Sequence, residues 1–460
     1  MLRGYARLEL ARERKVGGKT KREVVKVIEH KNDITPWTDD VLNDGNFHYQ
    51  IQPSKLMPVS QFFDGCLLTD KDNVANLSMI ASDSNVTAQA GKNSYSGLND
   101  KRGTYNQIES GVITGGIRQV WDWGTAYGNG IIKSVCLTRS ALGCVEMHDD
   151  NTAFESTSAY VNELMNASYD APDMTGINIF DNGGRYAYRV YYEDSKIKIQ
   201  KYDLNNELLI IRGGVFSPVE VGTPVEINEA LTSPTTATVS YTGNYLHVIE
   251  TSGGTFTIIK IDMSDWSYTK TSYTFENITI LAARTNGHPD LYLVKDVHLI
   301  VGDYIYTLAT VGGNIKLVKC NMTNLSDVAD YDLPTALTSS AFVTDGNGPS
   351  VMLPNGDIYK FAGRRSSVGS PALYFHNGVP YVVYENLKDI NTHDAVLCIA
   401  ANVIKGGIVF QKAGWTDQIG HTGIATIHPY VSTVANLEEA VTKTASLTMK
   451  LTYDIVETGI

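Results

Sequence analysis

Cysteine and long apolar runs are scarce in this 460-residue chain, and each shortage excludes a class of protein. The five cysteines are widely spaced, odd in number and never arranged as CxxC, a pattern that predicts neither a zinc knuckle nor a disulfide framework. Most of them have apolar neighbours, which predicts buried thiols in a protein folded in a reducing cytoplasm. They are Cys66, Cys136, Cys144, Cys320 and Cys398.

Targeting and catalytic motifs are also missing. No stretch approaches about 18 consecutive apolar residues, so we expect no membrane-spanning helix. The opening MLRGYARLEL lacks an apolar core and does not predict a signal peptide. Because GxSxG, HExxH and phosphate-loop motifs are absent, and no spacing selects a pair of carboxylates, we expect a protein that is not an enzyme. We expect no metal and no cofactor.

The charges are unevenly distributed: the first residues are basic and the rest of the chain is acidic. The chain carries a net charge of −12, but residues 1–31 hold ten Lys/Arg against four Glu, a net +6, which leaves −18 for the remainder. An acidic body repels nucleic acid and anionic membranes, so neither is an expected partner. The basic start predicts a surface that docks on an acidic partner.

The composition favours strands, since Tyr, Thr and Gly are abundant and suit sheets and tight turns. An N-terminal hairpin is predicted around Gly17-Gly18. In the C-terminal run SLTMKLTYDI (residues 446–455) apolar and polar residues alternate strictly, which predicts a strand that pairs with the edge of a sheet. We therefore expect an all-β protein in which residues 1–115 and 435–460 form one base domain, and residues 116–434 are inserted as a β-propeller-like region.

The middle of the chain contains an internal repeat with a period of about 60 residues, longer than that of the common propeller families. Each copy has a Gly-x-Tyr site, then two alternating runs around a turn, then a Lys-x-Asp/Asn-x tetrad. This pattern predicts a hairpin and about four strands per period, as in a propeller blade. The tetrad Asp or Asn is expected to bond a local backbone N–H and fix the next turn. The equally spaced sites are Tyr186, Tyr245 and Tyr304, followed at one constant interval by Lys201, Lys260 and Lys319.

Two weaker copies flank these three repeats. They start at Gly130 and Gly356, at equal sequence distances before Gly184 and after Gly302. With them, the inserted region would hold five or six blades. A run of hairpins in a sandwich or a solenoid is the alternative, because a shared register does not prove that a ring closes.

Four stretches resemble tail proteins of phages that infect low-GC Gram-positive bacteria. The most specific, RGTYNQIESGVITGGIRQVWDWG (residues 102–124), is similar to a GxYNxxES…VWDF…ANGxIxxLxLT signature of such virion proteins. It departs from that signature at Trp123-Gly124, where the family has Phe and a polar residue. The others are GKTKREVVKVIEHKN (18–32), FFDGCLLTDK (62–71) and VTKTASLTMKLTY (441–453).

The resemblance implies a structural virion component, either a tail fibre or a baseplate-associated protein, and it transfers no catalytic residue. We expect a receptor-binding protein that is made in the bacterial cytoplasm, assembles with other tail proteins as a homo-oligomer and contacts a glycan or protein of the host surface. The alternatives are a purely structural baseplate, collar or head-decoration protein, and a glycan depolymerase. Aromatic faces stack on sugars, and the candidate receptor contacts are Trp266, Trp415, Tyr191 and Tyr192.

Overall fold

Alternating apolar and polar residues form strands along almost all of the described chain. The structure is a computed structural model that describes residues 2–36, 38, 63–77, 79–91, 99–138, 154–155, 177–180, 186–203, 219–282, 291–338, 347–353, 355–362, 364–365, 371–384, 396–404, 407–413, 421–426 and 431–457. Its regular structure is nearly all β, as the composition predicts. Ala75–Leu77 is a 3-10 turn, and Thr335–Thr338 is a single α-helical turn. No helix in this part of the chain has the length and hydropathy to cross a bilayer.

The strands before the first repeat and within the three repeats are numbered in chain order. They are β1 (Leu2–Val16), β2 (Lys19–Ile34), β3 (Gly65–Thr69), β4 (Val86–Ala90), β5 (Thr104–Tyr105), β6 (Gly111–Ile113), β7 (Gly116–Trp123), β8 (Gly130–Thr138), β9 (Phe154–Glu155), β10 (Ile177–Phe180), β11 (Tyr186–Glu193), β12 (Lys196–Asp203), β13 (Val219–Ile227), β14 (Thr238–Thr242), β15 (Tyr245–Ser252), β16 (Thr255–Asp262), β17 (Tyr268–Thr274), β18 (Ile278–Ile280), β19 (Leu291–Tyr292), β20 (Val294–Lys295), β21 (Leu299–Val301), β22 (Tyr304–Val311), β23 (Asn314–Asn321) and β24 (Val328–Asp332).

The remaining strands complete the inserted region and return to the base. They are β25 (Asn347–Met352), β26 (Ile358–Ala362), β27 (Arg364–Arg365), β28 (Pro371–His376), β29 (Val379–Tyr384), β30 (Val396–Ile404), β31 (Gly407–Ala413), β32 (His421–Thr426), β33 (Thr433–Lys443) and β34 (Thr448–Glu457).

The two ends of the chain meet in one sheet, as predicted. β1 and β2 form the expected hairpin, whose turn residues Gly17 and Gly18 both have positive φ, at 59° and 78°. β34 pairs antiparallel with β1 from Leu2↔Glu457 to Ala11↔Thr448. The alternation of β34 is visible in its burial, since Met449, Leu451, Tyr453 and Ile455 all face the core. A base domain built from both termini is therefore confirmed.

The base sheet curls into a nearly closed barrel. Its strand order is β4-β3-β8-β33-β2-β1-β34-β7-β5, with β6 beside β7. The two ends of this order approach each other, because the Gln89 N–H donates to the Lys101 carbonyl at 2.9 Å and the Gly103 N–H donates to the Gln89 carbonyl at 2.8 Å. The interior is aromatic and aliphatic, and it includes the fully buried indoles of Trp121 and Trp123.

The barrel extends further along the sequence than residue 115. β7 pairs with β34, and β8 lies between β3 and β33, so residues 116–138 are part of the base and not of the inserted region. The predicted boundary at 116 was therefore placed too early, and the weak repeat copy at Gly130 is a barrel strand. A short alternating strand looks the same in a blade and in a barrel, so the period alone did not separate them.

The described part of the inserted region consists of five further sheets, antiparallel except where β20 joins β14 and β9 joins β29. Blade 1 is β10–β13, blade 2 is β14–β17, blade 3 is β21–β24, blade 4 is β25, β26, β28 and β29, and blade 5 is β27 with β30–β32. Short strands extend four of them: β19 joins blade 1, β20 blade 2, β18 blade 3 and β9 blade 4. Neighbouring sheets contact each other, as β14 of blade 2 contacts β21 of blade 3 and β25 of blade 4 contacts β30 of blade 5. β30 also contacts β10 of blade 1, which gives the propeller-like arrangement predicted from the repeat.

The repeated tyrosines occupy equivalent positions in three successive blades. Tyr186, Tyr245 and Tyr304 each begin the second strand of a blade, and each of these strands is eight residues long. In the second and third repeats the Asp or Asn of the tetrad closes the next turn as expected, while the turn after Asp203 lies outside the described residues. Asp262 Oδ1 accepts the Ser264 N–H at 2.9 Å, while Asn321 Oδ1 accepts two backbone N–H groups in the same way. The weak copy at Gly356 precedes β26, the second strand of blade 4.

The barrel and blade 4 share one hydrophobic core. Val351, Leu353, Tyr359 and Tyr374 of blade 4 belong to the same buried cluster as the barrel interior. The inserted region is thus attached to the base through side-chain packing as well as through the two chain connections.

A glycine substitution tests the pairing of β7 with the C-terminal strand. A Cβ added at Gly116 would lie 1.9 Å from the Ile455 carbonyl oxygen, so Gly116→Ala forces β7 and β34 apart. We expect it to lower the free energy of unfolding by about 2 kcal/mol in a urea titration, as overpacking does. The control is Gly124→Ala just beyond β7, where the nearest neighbour, Tyr127, is 3.6 Å away. An equal loss from both variants would contradict the strand register.

Candidate docking surface

The N-terminal hairpin continues beyond the barrel as a projecting arm. β34 pairs with β1 only as far as Ala11, and β33 pairs with β2 only at Asp33 and Ile34. Every residue from Arg12 to Val27 is exposed. We call residues 12–27 the arm. Among the described residues, its two strands pair only with each other, so both of its outer edges lack a partner strand, although Lys26 approaches Glu439 of β33 to 4.0 Å.

The arm is strongly basic. Residues 12–26 contain seven Lys/Arg against two Glu, a net charge of +5. Ion pairs form near its root, where Arg22 contacts Glu9 at 3.0 Å, and along it, where Arg14 contacts Glu23 at 3.3 Å. In the part of the chain that the structure describes, no carboxylate pairs with Lys19 or Lys21. Most of the positive charge thus remains available to an acidic partner.

Apolar side chains interrupt this charge. Val16 is 58% exposed, and Val24, Val25 and Val27 are each exposed by more than 40%. An isolated two-stranded hairpin is only marginally stable in water, and an exposed edge carrying valines readily accepts another strand. The sequence predicted the hairpin and its charge. It did not show that the arm leaves the barrel, although β34 is five residues shorter than β1.

A groove of about 440 Å³ lies on the outer face of the barrel beside the root of the arm. Two ion pairs lie in it: Arg118 donates to both carboxylate oxygens of Asp454, at 2.7 and 2.6 Å, and Arg7 pairs with Glu29 at 2.8 Å. Hydrogen bonding to Asp454 raises the pKa of Arg118. These two ion pairs link β1 to β2 and β7 to β34. It is lined by Tyr5, Ala6, Arg7, Glu29, His30, Lys31, Arg118, Thr452 and Asp454.

Of the four predicted receptor contacts, the three that the structure describes are all half-buried. Trp266 is half-buried against the core of blades 1 and 2, in a left-handed turn with φ 64°. Tyr192 packs on the same core, and its hydroxyl accepts the Leu231 N–H at 3.2 Å. Tyr191 is half-buried beside Arg189, whose guanidinium lies 4.7 Å from the ring centroid. Trp415 lies outside the described residues.

The repeated lysines have a structural partner that the sequence did not reveal. In each of the three repeats the ammonium group lies over the ring of the repeated tyrosine, at 3.6 Å for Lys201 and 3.9 Å for both Lys260 and Lys319. The constant interval between tyrosine and lysine brings the two side chains to the same face of adjacent strands. This recurring cation–π contact explains why Tyr and Lys repeat together, without a ligand.

An acid–base cluster joins blade 4 to the barrel. His376 is 2.7 Å from the Asp357 carboxylate and donates from Nε2 to the Ser84 carbonyl at 2.6 Å, while the Tyr374 hydroxyl also donates to Asp357. Asn355 donates to the Ile80 carbonyl at 2.8 Å. Burial raises the pKa of Tyr374 well above its ordinary value, which keeps the hydroxyl protonated as a donor.

This cluster has the residue types of a catalytic site but the burial of a structural one. The His376 side chain is 1% exposed and Asp357 is 3% exposed, so a substrate has no access to either group. The cluster instead provides polar contacts between two loops, which fix the inserted region on the barrel.

A buried lysine occupies a second polar site, where blades 2 and 4 meet. The Lys360 ammonium donates to the Gly348 carbonyl at 2.7 Å, the Val297 carbonyl at 3.1 Å and the Ser350 hydroxyl at 3.2 Å. Burial lowers the pKa of Lys360 to about 7, and the nearby Asp296 opposes this shift.

Among the described residues no group of three metal-ligating side chains is present.

Comparison with known proteins does not assign a family. No family model matches the chain, and no curated protein matches it. TolB from Acinetobacter baumannii is similar over 76% of this chain and 79% of its own, at 12% identity and a TM-score of 0.29. AztD from Citrobacter koseri is similar over 95% and 98%, at 11% identity and a TM-score of 0.24. A GH43 glycoside hydrolase is similar over 74% and 95%, at 7% identity and a TM-score of 0.26. These scores carry no functional argument, and the fold is assigned from the strand pairing.

Removing the imidazole tests the junction between the barrel and blade 4. His376→Ala leaves the buried Asp357 without its nearest ring nitrogen and breaks the contact with Ser84, so we expect the free energy of unfolding to fall by about 2 kcal/mol. Urea titration measures the change. The control is His30→Ala on the half-exposed outer face of the barrel, where we expect less than about 0.5 kcal/mol. If both variants are equally stable, the cluster does not hold the junction.

Proposed function

We propose that the chain is a structural protein of a bacteriophage tail that is anchored in the particle by its arm. One observation carries this proposal: a basic hairpin with exposed valines projects from a barrel that both termini build. Such a hairpin is best stabilised by an acidic protein surface, and a tail assembly supplies neighbouring subunits. The proposal includes no catalytic step, no cofactor and no contact with nucleic acid or membrane.

The described residues that resemble phage tail proteins lie in the barrel and in the arm that extends from it. In the segment 102–124, Asn106 Oδ1 caps a turn by accepting the Ile108 and Glu109 N–H groups, and the Ser110 hydroxyl accepts the Val120 N–H at 2.9 Å. The Trp121 indole donates to the Gly91 carbonyl at 3.0 Å. The resemblance is thus a resemblance of base domains, and it supports a shared place in a virion.

The departure at Trp123 also has a local explanation. Its indole N–H donates to the Lys101 carbonyl at 3.1 Å, and its ring lies where a side chain at Gly103 would have to be. The large indole of Trp123 fits here because Gly103 has no side chain. The substitution therefore leaves the resemblance of the base domain intact.

We further propose that the propeller-like region contacts the host surface. It is inserted between β8 and β33 on a rigid base, and binding residues concentrate in loops on such scaffolds. The remainder of the chain outside residues 1–31 carries −18, which disfavours anionic polymers and favours neutral glycans or protein layers.

A purely structural baseplate, collar or head-decoration protein is the second candidate. The half-buried positions of Trp266 and Tyr192, both packed on a core, are the observation that supports this candidate. A depolymerase is the least supported candidate.

Shortening the arm tests the anchoring role. Deletion of Glu13–Val16 and Lys19–Arg22 lets Gly17-Gly18 connect Arg12 to Glu23, which already pair in the hairpin, and keeps the strands inside the barrel intact. We expect the shortened protein to fold and to be missing from purified particles. A full-length arm with Arg14, Lys15, Lys19 and Lys21 changed to Gln separates the effect of charge from that of length. Normal incorporation of the shortened protein would contradict the proposal.

Competition with infection tests host contact. The purified full chain should bind intact host cells and reduce phage adsorption, and Trp266→Ala with Tyr191→Ala should weaken that binding. The matched control is Tyr5→Ala on the barrel, where the side chain is 38% exposed. If the purified chain binds no cells, the structural candidate replaces the receptor-binding one.

A further inference from the structure

The arm presents hydrogen-bonding groups as well as charge. Its backbone lacks a neighbouring strand on either outer edge among the described residues, from Arg12 to Val16 on β1 and from Lys19 to Val27 on β2. Open edges of this length are templates for the addition of a strand from another chain. The occupant must present a free strand edge, apolar side chains and negative charge.

One strand of this same chain meets all three requirements. β13 is the outermost strand of blade 1, with β12 on one side and, among the described residues, no strand on the other. Its first five residues are all exposed, including Val219 at 52% and Val221 at 40%. Glu220 lies between these valines, and its carboxylate contacts only the Tyr202 hydroxyl, at 3.4 Å, among the described groups.

The outermost strands of the next two blades do not fit the arm. β17 carries no carboxylate, and its Lys270 is paired with Glu229 at 2.6 Å, so it offers the arm no negative charge. β24 carries Asp330 and Asp332, but both already pair with Lys316, at 2.6 and 3.0 Å. β13 is therefore the best complement that the three repeats offer.

We propose that the arm of one copy of this chain adds to the β13 edge of a second copy. Two arms of +5 repel each other, whereas an arm meets a body of −17 when it docks elsewhere on the next copy. The contact joins different surfaces of the two copies, so it closes a two-fold dimer when the two arms are exchanged reciprocally and otherwise builds a larger ring or a filament. This inference rests on the proposed docking role of the arm and names its partner.

Site-directed cross-linking tests the contact between copies. Val24→Cys in one tagged chain and Val221→Cys in a differently tagged chain are mixed and oxidised, both in a Cys144→Ser, Cys398→Ser background. We expect a disulfide between the two tags. The matched control replaces Val221→Cys with Val379→Cys, because Val379 of blade 4 is 41% exposed, nearly the same as Val221. Equal cross-linking of Val379→Cys, or none with Val221→Cys, overturns the proposal.

A charge exchange tests the same contact without cysteines. Lys21→Glu and Glu220→Lys should each weaken self-association by about tenfold in sedimentation velocity, and the two together should restore it. Salt should weaken the wild-type association as well. Lys71→Glu makes the same change of charge at an exposed lysine of the barrel and should have no effect. A wild-type chain that stays monomeric, or a double variant without recovery, overturns the proposal.

The outcomes separate this inference from the proposed function. If the purified chain is monomeric and shortening the arm still abolishes incorporation, the arm docks on a different tail protein and only the inference fails. If Val24→Cys and Val221→Cys cross-link while the shortened protein enters particles normally, the inference holds and the anchoring function fails.

Discussion

The antiparallel pairing of β1 with β34 is the constraint on which the rest of the structure depends. It joins Leu2 to Glu457 and so brings the two ends of the chain into the middle of one sheet. β7 then pairs with the free side of β34, and β2 extends the free side of β1. Without this ladder the two halves of the barrel sheet would not be joined, and β8 and β33, which flank the inserted region, would not be held in one sheet.

The shared core extends this constraint to the inserted region. Tyr359 and Tyr374 of blade 4 are fully buried in the same cluster as Trp121 and Trp123 of the barrel. Such rings bury large apolar areas, and each polar tip needs a partner. Asp357 and His376 provide partners for the Tyr374 hydroxyl at the junction, where burial keeps the cluster inaccessible. This cluster has the residue types of a catalytic site, and its position at the junction gives it a structural role.

The proposed docking role depends on strand edges that the fold leaves without a partner. A nearly closed barrel removes most edges, and a ring of blades leaves only the outermost strand of each blade without a neighbour, as in β13. The arm keeps both of its edges. Natural sheets protect edges with lysine, and the arm has lysines. It also has exposed valines, which protection alone does not require. This combination is typical of an edge that another strand covers.

The sequence by itself determined the elements whose cause is local. Strict alternation predicted β34, the Gly17-Gly18 turn predicted the hairpin, and the constant repeat period predicted three equivalent blades. Each follows from periodicity or turn chemistry within a few residues. The resemblance of residues 102–124 to phage tail proteins remains a basis for proposals about function.

Only the tertiary structure decided which sheet each strand joins and which groups meet. β8 reads like a blade strand but pairs between β3 and β33, because a strand's neighbours are set by partners far away in the sequence. The stacking of Lys260 on Tyr245, and the burial of Trp266 against a core, depend in the same way on strand register and packing. The sequence marked these side chains as candidates, and three-dimensional packing decided whether they face solvent or a neighbour.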